Sequence, residues 1–147
     1  MKRADALRSL SRDHHQALVI AQALTRADES NAGERQAAFL DFWRAHGHRH
    51  FQVEEEVLLP FYAGFADVRT EPVVRVLTDH VEIRRMAQDL EQGPAAPVDS
   101  LHALGGRLAD HVRHEERVLF PMIEDALPDE RLAELASAVA HAEALGT

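Results

Sequence analysis

The stretches His50-Phe51-Gln52-Val53-Glu54-Glu55-Glu56-Val57-Leu58-Leu59-Pro60 and His111-Val112-Arg113-His114-Glu115-Glu116-Arg117-Val118-Leu119-Phe120-Pro121 are one design written twice. Shifted by 61 positions, they agree at the His, both glutamates, the Val, the Leu and the Pro. A second correspondence lies upstream of each. Shifted by 66, Asp13-His14 aligns with Asp79-His80, Ala21-Gln22 with Ala87-Gln88, and Leu24 with Leu90. The chain therefore reads as two helix pairs of the same plan, and a repeat of this kind constrains the fold before any motif is considered.

Gly and Pro mark the joints between the repeated parts. A polar stretch at Asp28–Gly33 follows the first helical pattern, Pro60 and Gly64 interrupt the second, Gly93-Pro94-Ala95-Ala96-Pro97 ends the third, and Pro121 and Pro128 bracket the end of the fourth. These breaks predict helices over about 4–27, 34–59, 70–92, 99–120 and 129–144. Thr70-Glu71-Pro72 supplies a capping hydroxyl followed by Pro in the first turn. No segment sustains a period-two alternation of β-branched residues, so no strands are expected. The expected architecture is all-α: an up-down-up-down antiparallel four-helix bundle, with a short extra C-terminal helix, in a single domain over residues 1–147.

Each of the four main helices carries one inward stripe. The stripes are Leu7, Leu10, His14, Ala17, Ala21, Leu24; then Leu40, Trp43, Gly47, His50, Glu54, Val57; then Val73, Val76, His80, Ile83, Ala87, Leu90; and Leu101, Leu104, Leu108, His111, Glu115, Val118, Met122. Each stripe holds one His, and two hold a Glu one turn later. A rise of ~1.5 Å per residue puts His14 ~20 Å, and His50 and Glu54 ~24–30 Å, from their shared loop, close enough to meet. A buried carboxylate without a partner costs several kcal/mol. A metal centre resolves that cost, because imidazole nitrogen and carboxylate oxygen are ligands that divalent iron, zinc and manganese accept. His14, His50, Glu54, His80, His111 and Glu115 are too many donors for one tetrahedral ion and suit two ions with bridging carboxylates. The i, i+4 spacing of His50/Glu54 and His111/Glu115 stacks both members of each pair on one helix face.

Composition narrows the function further. Cys is absent from the 147 residues, which removes thiolate nucleophiles, Cys-ligated zinc and Cys-bound iron–sulfur clusters. A formal charge of −9 disfavours nucleic acid and anionic membranes as partners. No apolar run reaches the ~18 residues of a membrane span, and no apolar h-region follows the basic start, so a soluble cytoplasmic protein is expected.

The order His, His-x-x-x-Glu, His, His-x-x-x-Glu over four helices with EExxLxP endings resembles the hemerythrin-like HHE cation-binding domain, from about Leu10 to Met122. The resemblance implies a four-helix bundle around a non-heme, carboxylate-bridged pair of iron ions, associated with dioxygen, nitric oxide or peroxide chemistry and with iron or oxygen sensing. Carried over residue by residue, its ligands fall on His14, His50, Glu54, His80, His111 and Glu115. Oxygen-carrying hemerythrins have a further His four residues after the one on the third helix, where this chain has Arg84, and an Asp five residues after the His of the fourth, where it has Glu116. These departures point away from reversible oxygen carriage. Three functions follow as expectations: binding or sensing dioxygen, nitric oxide or iron; decomposing peroxide; or holding a redox-silent ion, such as zinc, that stabilises the bundle.

The other histidines receive surface or flanking roles: His15 off the stripe, unless a rotated first helix makes it a fifth imidazole or a replacement for His14; His46 interfacial, gating or supporting the site from behind; His114 beside the site; and His48, His102 and His141 solvated. Asp13 and Asp79 read equally as groups that orient an imidazole from behind and as solvated acidic residues. Arg84 is expected to pair with Glu115, to steer an anionic ligand or to form a surface ion pair. The amphipathic C-terminal segment covers the bundle or pairs two copies into a homodimer.

Overall fold

The computed structural model describes residues 2–145. Among these there are five helical rods and no strand. They are α1 (Asp5–Thr25), α2 (residues 32–63), α3 (Glu71–Gln92), α4 (residues 98–126) and α5 (Asp129–Leu145). α1 packs most extensively on α4, and it also meets α2 and α5; α3 packs on α2 and α4. The crossing of α1 and α4 is close because Gly105 has no Cβ: one there would lie 2.7 Å from the Ala21 carbonyl oxygen and 2.9 Å from Leu24 Cβ.

The stripes of α1 and α3 are buried throughout as the spacing predicts. α2 and α4 differ in an informative way. Three single π turns interrupt their α ladder, at Trp43–Gly47, Glu54–Leu58 and Glu115–Leu119. In each, the next amide donates to the carbonyl five residues back, from His48 to Trp43, Leu59 to Glu54 and Phe120 to Glu115. The wider turn slips the register, so Leu119 and Ile123 fill the core where Val118 and Met122 were expected, and Val118 is 38% exposed. In α2, Leu58 takes the fully buried place expected for Val57. Nor do Pro60 and Pro121 end their helices. Each sits just past a π turn, where the ladder a proline would break is already shifted, and α2 and α4 run on to Ala63 and Ala126.

Thr70 caps α3 with its backbone and not with its hydroxyl, because the Val74 amide donates to the Thr70 carbonyl while Oγ1 is buried without a partner. α5 lies across α1 and α2. Leu135 and Val139 are its buried anchors, and Ser9 Oγ donates to Glu143 Oε1 at 3.0 Å.

Buried apolar residues form two separate clusters. One gathers Leu24, Phe39, Trp43, Ile83, Leu101 and Leu104. The other gathers Leu7, Leu10, Leu58, Val76, Phe120 and Ile123. Between them lies a layer of charge.

Candidate metal centre

All six polar stripe residues meet in that layer. His14, His50, His80 and His111 are at most 6% exposed, and Glu54 and Glu115 are wholly buried. Their donor atoms form two overlapping groups, His14/His50/Glu54/Glu115 and Glu54/His80/His111/Glu115, with the atoms in each within 4.8 Å of one another. Glu54 reaches both groups: Oε2 lies 3.2 Å from His50 Nε2, and Oε1 lies 3.1 Å from His80 Nε2. Glu115 does the same, with Oε1 2.7 Å from His14 Nε2 and Oε2 3.6 Å from His111 Nε2. Each carboxylate thus gives one oxygen to each half, and each half receives two imidazoles.

The directions of these atoms identify what they are aimed at. Among the described residues, seven buried side-chain polar atoms lack a hydrogen-bond partner, and six are in this site: Nε2 of His50, His80 and His111, both oxygens of Glu54, and Oε2 of Glu115. Several are within 3.2 Å of each other but badly aligned for a hydrogen bond. Buried polar atoms are almost always paired, because an orphan costs about 1–3 kcal/mol. Six orphans pointing at shared centres fit cation coordination, with nitrogen and oxygen donors of the kind divalent transition metals take.

An outer ring of carboxylates fixes the imidazoles. His14 Nδ1 donates to Glu116 at 2.6 Å, His50 Nδ1 to Asp13 at 3.0 Å, His80 Nδ1 to Glu55 at 2.7 Å and His111 Nδ1 to Asp79 at 3.1 Å. This aims every Nε2 inward and raises its basicity. Asp13 and Asp79 do orient imidazoles, each that of the following helix. The second glutamate of each Glu-Glu pair completes the ring, a role not read from the sequence. The repeated doublet was the available signal.

Arginines and rings back up this ring. Arg84 pairs with Glu55 at 2.6 Å, not with Glu115, and lies over the Phe51 ring. Arg3 pairs with Glu116 at 3.3 Å and lies over Phe120. Phe51 stacks on His80 with centroids 3.8 Å apart, and Phe120 stacks on His14 at 5.3 Å.

The electrostatics follow from these contacts. Burial, the largest influence on His14, disfavours its charge, but hydrogen bonds to Glu115 and Glu116 outweigh it and raise the imidazole to about 9. Burial likewise opposes charge on His80, and the contacts to Glu54 and Glu55 prevail, again to about 9. Burial would raise Glu115, yet His111, His14 and His50 hold it well below the usual carboxylate range. Glu55, despite partial burial, is brought to about 2 by His80 and Arg84. Two buried carboxylates demand positive charge, which protons or cations can supply.

A cavity of about 20 Å³ adjoins the site, lined by His14, His50 and His111 together with Phe42, Trp43, Phe51 and Leu108. It has room for a water or a diatomic molecule and for no organic substrate. His46 also lines it. Of the remaining histidines, His114 is buried and donates to the Pro72 carbonyl at 3.0 Å. His102 is half-buried on the Ala27 carbonyl at 2.7 Å and is not solvated as expected. His15, His48 and His141 are exposed.

Helical rods enclosing a buried, doubled His/carboxylate cluster define a cation-binding helical domain. The chain belongs to the hemerythrin HHE cation-binding domain family, whose pattern matches residues 5–123. No curated protein and no solved structure matches it. Among the described residues, no helix is long and apolar enough to cross a membrane.

Proposed function

We propose that the site binds two iron ions within an up-down-up-down four-helix bundle, and that the centre binds or senses dioxygen or nitric oxide. His14 and His50 hold one ion, His80 and His111 the other, and Glu54 and Glu115 bridge them. The observation that carries this reading is the division of each carboxylate between the two halves, one oxygen to each. Two ions explain why both carboxylates are buried and why their oxygens diverge. Iron, when bound, supplies reversible redox chemistry and an affinity for diatomic ligands. The protein's part is to aim four imidazoles through Asp13, Glu55, Asp79 and Glu116, and to keep bulk water out with the two apolar clusters.

The size of the cavity beside His50 and His111 favours a small ligand. Peroxide is of similar size, so peroxide decomposition is the second reading, and a redox-silent zinc or manganese site that stabilises the bundle is the third. Anaerobic titration of the iron-loaded protein with nitric oxide and with peroxide separates them. A stable new spectrum with nitric oxide and no sustained oxygen evolution from peroxide supports binding or sensing. Continuous peroxide consumption makes the protein an enzyme, and no response to either supports the structural reading. A cytoplasmic protein that acts alone or as a homodimer belongs to this proposal.

A further inference from the structure

Trp43 is the single tryptophan of the chain. Its ring meets Phe51 edge to face, with centroids 5.3 Å apart. Phe51 then lies flat on His80, at 3.8 Å and 10°, and meets His111 edge-on at 5.4 Å. Two ring-to-ring steps therefore connect Trp43 with both imidazoles of one half of the site and, through a longer 6.2 Å edge contact of Phe51, with His50 of the other. On its other side, Trp43 forms part of a surface groove of about 330 Å³ with Arg44, His48, Arg84, Gln88 and Glu91. Trp43 is held in this position by the absence of a side chain at Gly47, where a Cβ would lie 2.7 Å from its ring.

Packing alone does not call for these rings. In the internal repeat, the counterparts of Trp43 and Phe51 are Leu104 and Val112, aliphatic residues that are equally well buried. Phe120 stacks on His14 and carries the Arg3 guanidinium much as Phe51 carries that of Arg84, but among the described residues only Phe51 of the two also meets a second phenyl or indole ring, that of Trp43. Among the described residues, the continuous aromatic route to the site runs on that side alone, and that side opens to the surface.

We infer that Trp43 and Phe51 form the electron-entry path from the surface to the centre, used by small organic one-electron donors in solution. The donor loses one electron, the ferric ion held by His80 and His111 gains it, and no covalent bond forms or breaks. The path rests on the reading that the site holds iron.

The test compares the full-length protein with its Phe51→Leu and Trp43→Leu variants, with iron content measured on each. The first readout is the transient yield of ferrous iron after selective excitation of Trp43, in iron-loaded wild type and Phe51→Leu, with the zinc-loaded proteins as blanks. The second is the rate at which ascorbate reduces the ferric centre, followed at its charge-transfer absorption. Excitation of Trp43 should generate ferrous iron in wild type and severalfold less in Phe51→Leu. Both variants should be reduced severalfold more slowly at full iron content. Energy transfer through space reduces no iron, so an equal ferrous yield in Phe51→Leu overturns the path. An unchanged reduction rate in either fully loaded variant also overturns it. A protein that takes up no redox-active ion at all overturns the parent reading, and the path with it.

Discussion

Glu55 Oε2 lies 2.7 Å from His80 Nδ1, and the same carboxylate is gripped by Arg84 at 2.6 Å. The imidazole is thereby fixed from behind, with Nε2 aimed at Glu54. Glu116 makes the equivalent contact to His14 in the other half. Outer carboxylates of this kind are typically worth about 10–100-fold in metal affinity. Glu55→Gln and Glu116→Gln should each weaken binding within that range, by similar factors, as read by competition with a chromophoric chelator. Arg84→Ala should weaken it less, because Glu55 keeps its contact to His80.

Glu54→Ala and Glu115→Ala should do more than weaken binding. Each carboxylate serves both halves, so losing either disturbs both ions. Metal analysis after gel filtration should give fewer than two ions per chain in each variant. Full occupancy in both variants would mean that the carboxylates are not bridges.

Metal-free protein should be less stable than loaded protein, since binding energy is folding energy. Its own stability should depend on pH in a defined way. The raised imidazoles, His14 and His80, stabilise the fold fully below their ordinary 6.5, and that contribution is lost as pH rises through about 9. The depressed carboxylate of Glu115 contributes above its ordinary 4.5, and this is lost as pH falls towards its folded value. Thermal melts of the chelated protein should therefore be highest between about 4.5 and 6.5 and decline towards pH 9. Loaded protein should not show the alkaline decline, because the imidazoles are then neutral ligands.

Adjacent glycines in α4 should respond in opposite directions. A Cβ on Gly105 meets the α1 backbone, so Gly105→Ala should destabilise by about 1–3 kcal/mol through overpacking. A Cβ on Gly106 meets nothing within 4 Å, so Gly106→Ala should stabilise by about 1 kcal/mol through helix propensity. Chemical denaturation of the two variants checks both signs.

The repeat made the six inward polar residues legible, because helical periodicity alone aligns His14, His50, His80 and His111 with apolar neighbours. It also marked Asp13 and Asp79, though not the imidazole each would hold, since that depends on how helices sit side by side. The slip from Val118 to Leu119 was hidden, because a π turn leaves no clear mark in hydrophobic spacing. The same turns carry α2 and α4 past Pro60 and Pro121, residues that normally signal a stop. Arg3 and Glu116 are 113 positions apart, and a pair so distant becomes visible only in the folded chain.

Metal analysis of freshly purified protein, paired with its near-ultraviolet and visible spectrum before and after exposure to oxygen, nitric oxide or peroxide, tests the central claim most directly. The predicted result is two irons per chain, with charge-transfer bands that one of these ligands alters. A folded, colourless protein holding a single zinc or no metal would contradict it, and would make the six converging side chains a structural polar core.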